Sequence, residues 1–313
     1  MCEIGIAQFL VERSNGGREF MMVSCNTLHQ AGEAAMTAAE AYAARIDAVT
    51  AQQARTRKAS PQGDRWSGPM ARRFRADPHR PLDANLEVIA SYIRPDDVLV
   101  DVGGGAGRLS LPLASRCREV INVDPSPGMR EQFDQSVAEG GVRNARSIAS
   151  DWIAAADVQG DVVLVANVTF FVRDIVPFIE KLEDAARRRV IIPIASPPPP
   201  MMNSKLFRLV HGEDQEPVPG QPELLPVLWE MGIMPDVRVL PETFTGFVEP
   251  PASREEAITR ALQAVEAQDE PRARQKLEAH VADLFSETAE GLVPCWRPVM
   301  HQLLITWEPH ARG

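Results

Sequence analysis

VLVDVGGGAGRLSLPLASRCREVINVDPSPGM, residues 98–129, sets the class of this chain. VLVDV is apolar apart from one acid and reads as a strand buried on both faces. Glycines follow at 103, 104, 105 and 107, and then GRLSLPLASRC opens a helix. Glycine at a strand-to-helix turn permits a tight bend and lets a ligand lie directly against the backbone. A second strand, EVINVD, ends on Asp124, about twenty residues past the turn, where a carboxylate can bridge both hydroxyls of a ribose.

The glycine spacing separates two ligand classes. A dinucleotide turn reads Gly-x-Gly-x-x-Gly and rests a pyrophosphate on the helix N-terminus. Here the spacing is Gly-x-Gly-x-Gly, with Arg108 where the third glycine would stand. Asp101 lies two positions before the first glycine. An acid there repels a pyrophosphate and suits a ligand with an ammonium group. Asp124 does not discriminate, because dinucleotide enzymes share it.

On either side of this stretch, short apolar runs alternate with helical patterns, as in an α/β sheet with crossover helices. LDANLEVIASYI (82–93) is an amphipathic helix before the first strand. PGMREQFDQSVAEG is the helix after Asp124, RSIASD a third strand, and DVVLVAN (161–167) a fourth. The helix DIVPFIEKLEDAARR (174–188) leads to a fifth strand, VIIPIA (190–195). The proline-rich stretch 196–222 reads as an insertion with a short helix at 205–210. PELLPVLWEMGI is a further helix and DVRVLPETF a sixth strand. Helices at 253–266 and 271–285 and a last strand in PVMHQLLITWEP complete the chain. Upstream, residues 27–57 are Ala-rich with helical spacing, Thr27 can cap them, and KASPQGDRWSGP reads as a linker. That helix is expected to pack on the main domain, with a homodimer contact as its second use. Residues 1–21 read as a disordered or over-annotated terminus.

The turn, its two acids and the strand order together resemble the class I S-adenosylmethionine-dependent methyltransferases. The resemblance covers about residues 80–195 and, more loosely, the final strands. It implies a Rossmann-like, doubly wound, mostly parallel seven-stranded α/β sheet with an antiparallel last strand, preceded by an N-terminal helical extension. The domains become 1–21, a helical extension and linker over 22–65, and a methyltransferase domain over 66–313. The cofactor implied is S-adenosyl-L-methionine. Gly103, Gly105 and Gly107 would lie under its methionine moiety, Asp101 would support the amino group, and Asp124 would hold the ribose. Pro125, Ser126 and Met129 would sit near the adenine. Asp151 would accept its amino group, although a helix cap is an equal reading, and Trp152 would flank the ring. Asn167 would face the methyl group, with one of Phe170 and Phe171 lining the pocket. The Asn/Asp-Pro-Pro-Tyr/Phe motif of amino-methylating DNA enzymes is absent.

Substrate contacts are expected from 66–80 and from the insertion, where Met201, Met202, Leu206, Phe207 and Leu209 offer an apolar lid. His79 and His211 are candidate general bases, each set against an ordinary surface histidine. A net charge of −10 disfavours nucleic acid and leaves a small-molecule substrate. Four isolated cysteines suggest neither a zinc site nor a disulfide framework, so no metal is expected. No run is long and apolar enough for a membrane span, and the expected location is cytoplasmic. Two other functions stay open: a nicotinamide-dependent oxidoreductase and a non-catalytic adenosylmethionine-binding module.

Overall fold

The computed structural model describes residues 8–12, 18–22, 36–56, 64, 66–243, 251–289 and 291–310. They fall into two units, residues 1–37 and 38–313. In the first, β1 (Gln8–Glu12) and β2 (Arg18–Met22) pair antiparallel, with Leu10 opposite Phe20. Residues 1–7 and 13–17 of the terminus expected to be disordered or over-annotated lie outside the described residues.

The second unit begins with α1 (Ala38–Thr56), shorter than the helix expected over 27–57; residues 27–35 lie outside the described residues. Its first N–H, on Ala38, is accepted by the Glu230 carboxylate at 2.9 Å, so a distant side chain caps the helix. There follow α2 (Gly68–Arg72), α3 (Ala84–Ala90), β3 (Val98–Val102), α4 (Ser110–Leu113), β4 (Glu119–Asp124), α5 (Pro127–Gly140), β5 (Ala145–Ala149) and β6 (Gly160–Leu164). Next come α6 (Ile175–Ala185), β7 (Ala186–Ser196), α7 (Ser204–His211), α8 (Gln221–Glu230) and β8 (Asp236–Val239). The chain closes with α9 (Arg254–Ala264), α10 (Pro271–Ala279), α11 (Val281–Leu284), β9 (Phe285–Thr288), β10 (Gly291–Pro294) and β11 (His301–Trp307).

The main sheet runs β5-β4-β3-β6-β7-β11-β8. Its pairs are parallel except for β11, which is antiparallel to both β7 and β8. The doubly wound sheet with an antiparallel last strand is therefore the fold. Successive residues of β3 serve opposite layers. Val98, Val100 and Val102 pack with Tyr42 of α1, Phe178 and Ile179 of α6 and Leu228 of α8, whereas Leu99 packs with Leu86 and Ile89 of α3. Strand order reverses between β3 and β6, and the crevice at their carboxyl ends is where such sheets bind ligands.

Three element boundaries differ from the sequence reading. Helix α6 stops at Ala185, and Ala186–Arg189 join β7. The arginines of that run reach separate partners, Arg187 to Asp161, Arg188 to Asp97 and the Tyr92 carbonyl, and Arg189 to Glu308. After the glycine turn, the helix expected to reach Cys117 gives way at Ala114 to a 3-10 turn. The helix expected over 271–285 breaks at His280, and an antiparallel hairpin of β9 and β10 follows.

A second core stands apart from the sheet. Leu206 and Val210 of α7 are buried with Ile258 and Leu262 of α9, Leu277 of α10 and Trp296. The insertion therefore contributes Leu206 and Val210 to a small core built mostly by the C-terminal helices.

Candidate active site

The β3-to-α4 turn is pinned by two backbone bonds, Gly103 N–H to Val123 O at 2.8 Å and Gly107 N–H to Gly104 O at 2.9 Å. Gly103, Gly105 and Gly107 have φ of 65°, 57° and 76°, left-handed values that account for the alternating glycines. Gly104 is fixed differently. A Cβ there would overlap Asp101 Oδ2 and lie 2.7 Å from Asn122 Oδ1, so close approach excludes any side chain.

Asp101 lies beneath this turn, 2% exposed. Burial pushes its carboxyl up to about 7; the Ser110 hydroxyl works the other way, and the charge of Asp124 adds to the rise. Asp124 ends β4 with its Oδ2 accepting the Gly105 N–H at 2.9 Å and its Oδ1 accepting the Ser126 N–H at 2.8 Å. Its carboxyl is also shifted upward, mainly by burial, against those two N–H groups and Arg130. A carboxylate offers about four acceptor positions, so two remain for hydroxyls. Asn122 donates to the Gly105 carbonyl at 2.9 Å and holds the turn against β4.

Helix α5 starts beside Asp124, capped by Ser126 Oγ, which accepts the Met129 N–H at 3.0 Å. The Met129 side chain packs on Ala106 and on Ala71 of α2, with Trp66 and Phe74 against them. Asp64 anchors this covering segment. It accepts the Ser126 hydroxyl at 2.7 Å, the Gly128 N–H at 2.9 Å and the Trp66 N–H at 3.0 Å. The Trp66 ring meets Phe74 and Phe171 edge-on, at 5.6 and 6.3 Å. Phe171 is 54% exposed while Phe170 is buried. Val168, from the loop after β6, presses on Gly103. Behind that loop the buried Tyr42 hydroxyl donates to Thr169 O at 2.7 Å.

Of the residues singled out in the sequence, Asp101, Gly103, Gly105, Gly107, Asp124 and Met129 gather at this turn, with Pro125 next in chain and exposed. Others are placed elsewhere or otherwise engaged. Asp151 is exposed and its carboxylate accepts the Ile153 N–H at 2.9 Å; a turn follows in place of the helix expected to be capped there. Trp152 is buried in the layer of α1 and α6, with Lys181 over its ring at 5.1 Å. Asn167, at φ 56°, accepts the Ala195 N–H at 3.0 Å and ties the end of β6 to β7. His79 bonds the Gly140 carbonyl at 2.6 Å, at the far end of α5 and about 20 Å along the helix from Ser126. His211 bonds Val265 O at 3.2 Å and packs on Phe207, within the second core. Asp64, Asn122 and Val168 are site residues that the sequence did not indicate. Asp64 meets Ser126 across 62 positions, and no local pattern marks such a contact.

Residues 100–192 match a family model described as a methyltransferase domain. An uncharacterized protein of Haemophilus influenzae is 28% identical over 170 residues, 53% of this chain and 62% of its own length. Ribosomal RNA small subunit methyltransferase A of Thermotoga neapolitana is 26% identical over 120 residues, 38% of this chain and 45% of that protein. Ubiquinone biosynthesis O-methyltransferase of Azorhizobium caulinodans is 34% identical over 84 residues, 26% of this chain and 33% of that protein. The chain thus spans less than two thirds of the length of each of these relatives. The segment matched by the methyltransferase-domain model runs from β3 into β7 and contains the glycine turn, Asp101 and Asp124.

Proposed function

We propose that this chain is an S-adenosylmethionine-dependent methyltransferase acting on a small-molecule acceptor. The observation that carries the reading is Asp101, an acid buried under a glycine turn with no arginine or lysine paired to it among the described residues. Such a group is stabilised by a ligand that brings its own ammonium. Asp124, with two acceptor positions left, suits the vicinal hydroxyls of a ribose beside it. Met129, buried beside Gly105, is the apolar group that a flat ring would meet there. Together these residues fit S-adenosylmethionine.

When bound, that cofactor supplies a methyl group on a sulfonium, already activated for in-line displacement. The protein's share is positioning and exclusion of water. Asp101 orients the amino end, Asp124 fixes the sugar, and the Asp64–Phe74 segment covers the turn. The wall of Trp66 and Phe171 and the charge of −10 support a small, partly apolar acceptor over nucleic acid. Among the described residues no helix is long and apolar enough to cross a membrane. A cytoplasmic location belongs to the same proposal.

Calorimetric titration with S-adenosylmethionine, S-adenosylhomocysteine and NAD(H) tests the reading. Both adenosyl ligands should bind, Asp124→Ala should abolish binding, and NAD(H) should give no heat. Binding of NAD(H) alone would make the chain an oxidoreductase. Binding of the adenosyl ligands with no turnover in a broad acceptor screen would favour a non-catalytic binding module.

A further inference from the structure

Strand β8 ends the main sheet, and all four of its residues, Asp236–Val239, are exposed. Among the described residues β11 is the only strand paired with it. Its hydrogen-bonding parity is fixed by the Leu240 N–H, which bonds Gln302 O on the β11 side at 2.7 Å. Residues alternate along an antiparallel ladder, so Asp236 and Arg238 also turn their backbone groups toward β11. Val237 and Val239 therefore aim their N–H and C=O groups at the open edge. Their side chains share the face of Ile305 and Leu303, and they are 45% and 61% exposed. Met234, just ahead of the strand, is 73% exposed. An edge whose ladder groups meet no second strand among the described residues, and whose valines are exposed, is a template for another strand.

The charges identify the strand that fits. We propose that β8 is a dimer interface, in which two copies of this chain pair their β8 strands antiparallel about a two-fold axis through Val237. In that register Val237 exchanges both ladder bonds with the partner's Val237. Asp236 then stands opposite the partner's Arg238, and Arg238 opposite the partner's Asp236. Neither residue has an ion-pair partner within its own chain among the described residues. The opposed residues form a non-hydrogen-bonded pair, the closer of the two pair types, where opposite charges attract most. Sliding one strand to centre the axis on Arg238 would set two arginines face to face. The order Asp-Val-Arg-Val is thus self-complementary in one register, as a two-fold interface requires. The result joins two seven-stranded sheets, independently of what the chain methylates.

Sedimentation velocity of the full chain over a range of concentrations tests this. The wild type should associate to a dimer. Asp236→Arg and Arg238→Asp, each alone, should weaken it by about tenfold or more, because each opposes like charges. An equimolar mixture of the two variants should recover a heterodimer of near wild-type affinity, since every arginine then meets an aspartate. Val237→Pro should give monomer with an unchanged melting temperature, because the N–H it removes makes no bond to β11. A wild type that stays monomeric at every concentration overturns the proposal. So does a dimer indifferent to both reversals, which would put the contact elsewhere, for instance on α1. Failure of the mixture to recover the dimer overturns it too.

Discussion

Asp101 and Gly104 show how much of the site rests on single atoms. Asp101 has its carboxyl raised from an ordinary 3.8 to about 7 by burial. Between those values the native chain keeps a proton that the unfolded chain has lost. The stability this contributes is complete below about pH 4 and disappears as pH rises through about 7. A ligand with an ammonium group selects the ionised form, so binding below pH 7 must release a proton. Affinity for S-adenosylhomocysteine should therefore climb by up to about tenfold per pH unit toward 7 and then level. Asp101→Asn should flatten that profile and weaken binding, as calorimetry in buffers of different ionisation enthalpy would show. Gly104→Ala should also weaken binding, by displacing the Asp101 carboxylate, with a cost of about 1–3 kcal/mol in folding that denaturant titration would measure.

Among the elements, α5 concentrates the most constraint at its first turn, where Ser126, Gly128 and Met129 are all held by side-chain oxygens. Asp64 supplies two of those contacts from outside the helix, and its carboxyl stays below the usual range: partial burial raises it, but bonds from Ser126, Gly128 and Trp66 outweigh that. Asp64→Ala should lower stability by about 1 kcal/mol and loosen the cover over the glycine turn. A lower melting temperature together with faster dissociation of the adenosyl ligand would be the signature. A lower melting temperature with unchanged dissociation would restrict Asp64 to a capping role. The helix itself is legible in PGMREQFDQSVAEG, just after Asp124. The tie to Asp64 is not, because Asp64 stands in a stretch that reads only as a linker and meets Ser126 and Gly128 across 62 and 64 positions.

At the scale of the molecule, the insertion after β7 and the C-terminal helices act as one small core beside the sheet. Leu206 is fully buried there, so Leu206→Ala should cost about 2–5 kcal/mol locally. Hydrogen exchange should accelerate in α7, α9 and α10 while β3, β6 and β7 stay protected. Equal loosening of the sheet would show that the two cores unfold as one. The apolar residues of 201–209 divide accordingly. Leu206 is committed to this core, Phe207 and Leu209 pack at its margin, and Met201 and Met202 stay half-buried as the remaining lid candidates.

The run from β3 to β4 is legible in the sequence because its information is local. Alternating glycines encode left-handed turn residues, apolar runs encode strands covered on both faces, and an acid at each strand end encodes the ligand's polarity. The parallel order and the antiparallel β11 follow from that alternation together with the family resemblance. Everything joined across long stretches of chain had to wait for the fold. Asp64 meets Gly128 across 64 positions, and α7 and the C-terminal helices share a core. Arg187 to Arg189 belong to a strand because their acids lie across the sheet. His79, a reasonable base in one dimension, is carried to the far end of α5 by the helix it bonds. Short-range torsional and burial preferences act within a few residues, whereas these contacts form only once the chain has collapsed around its sheet.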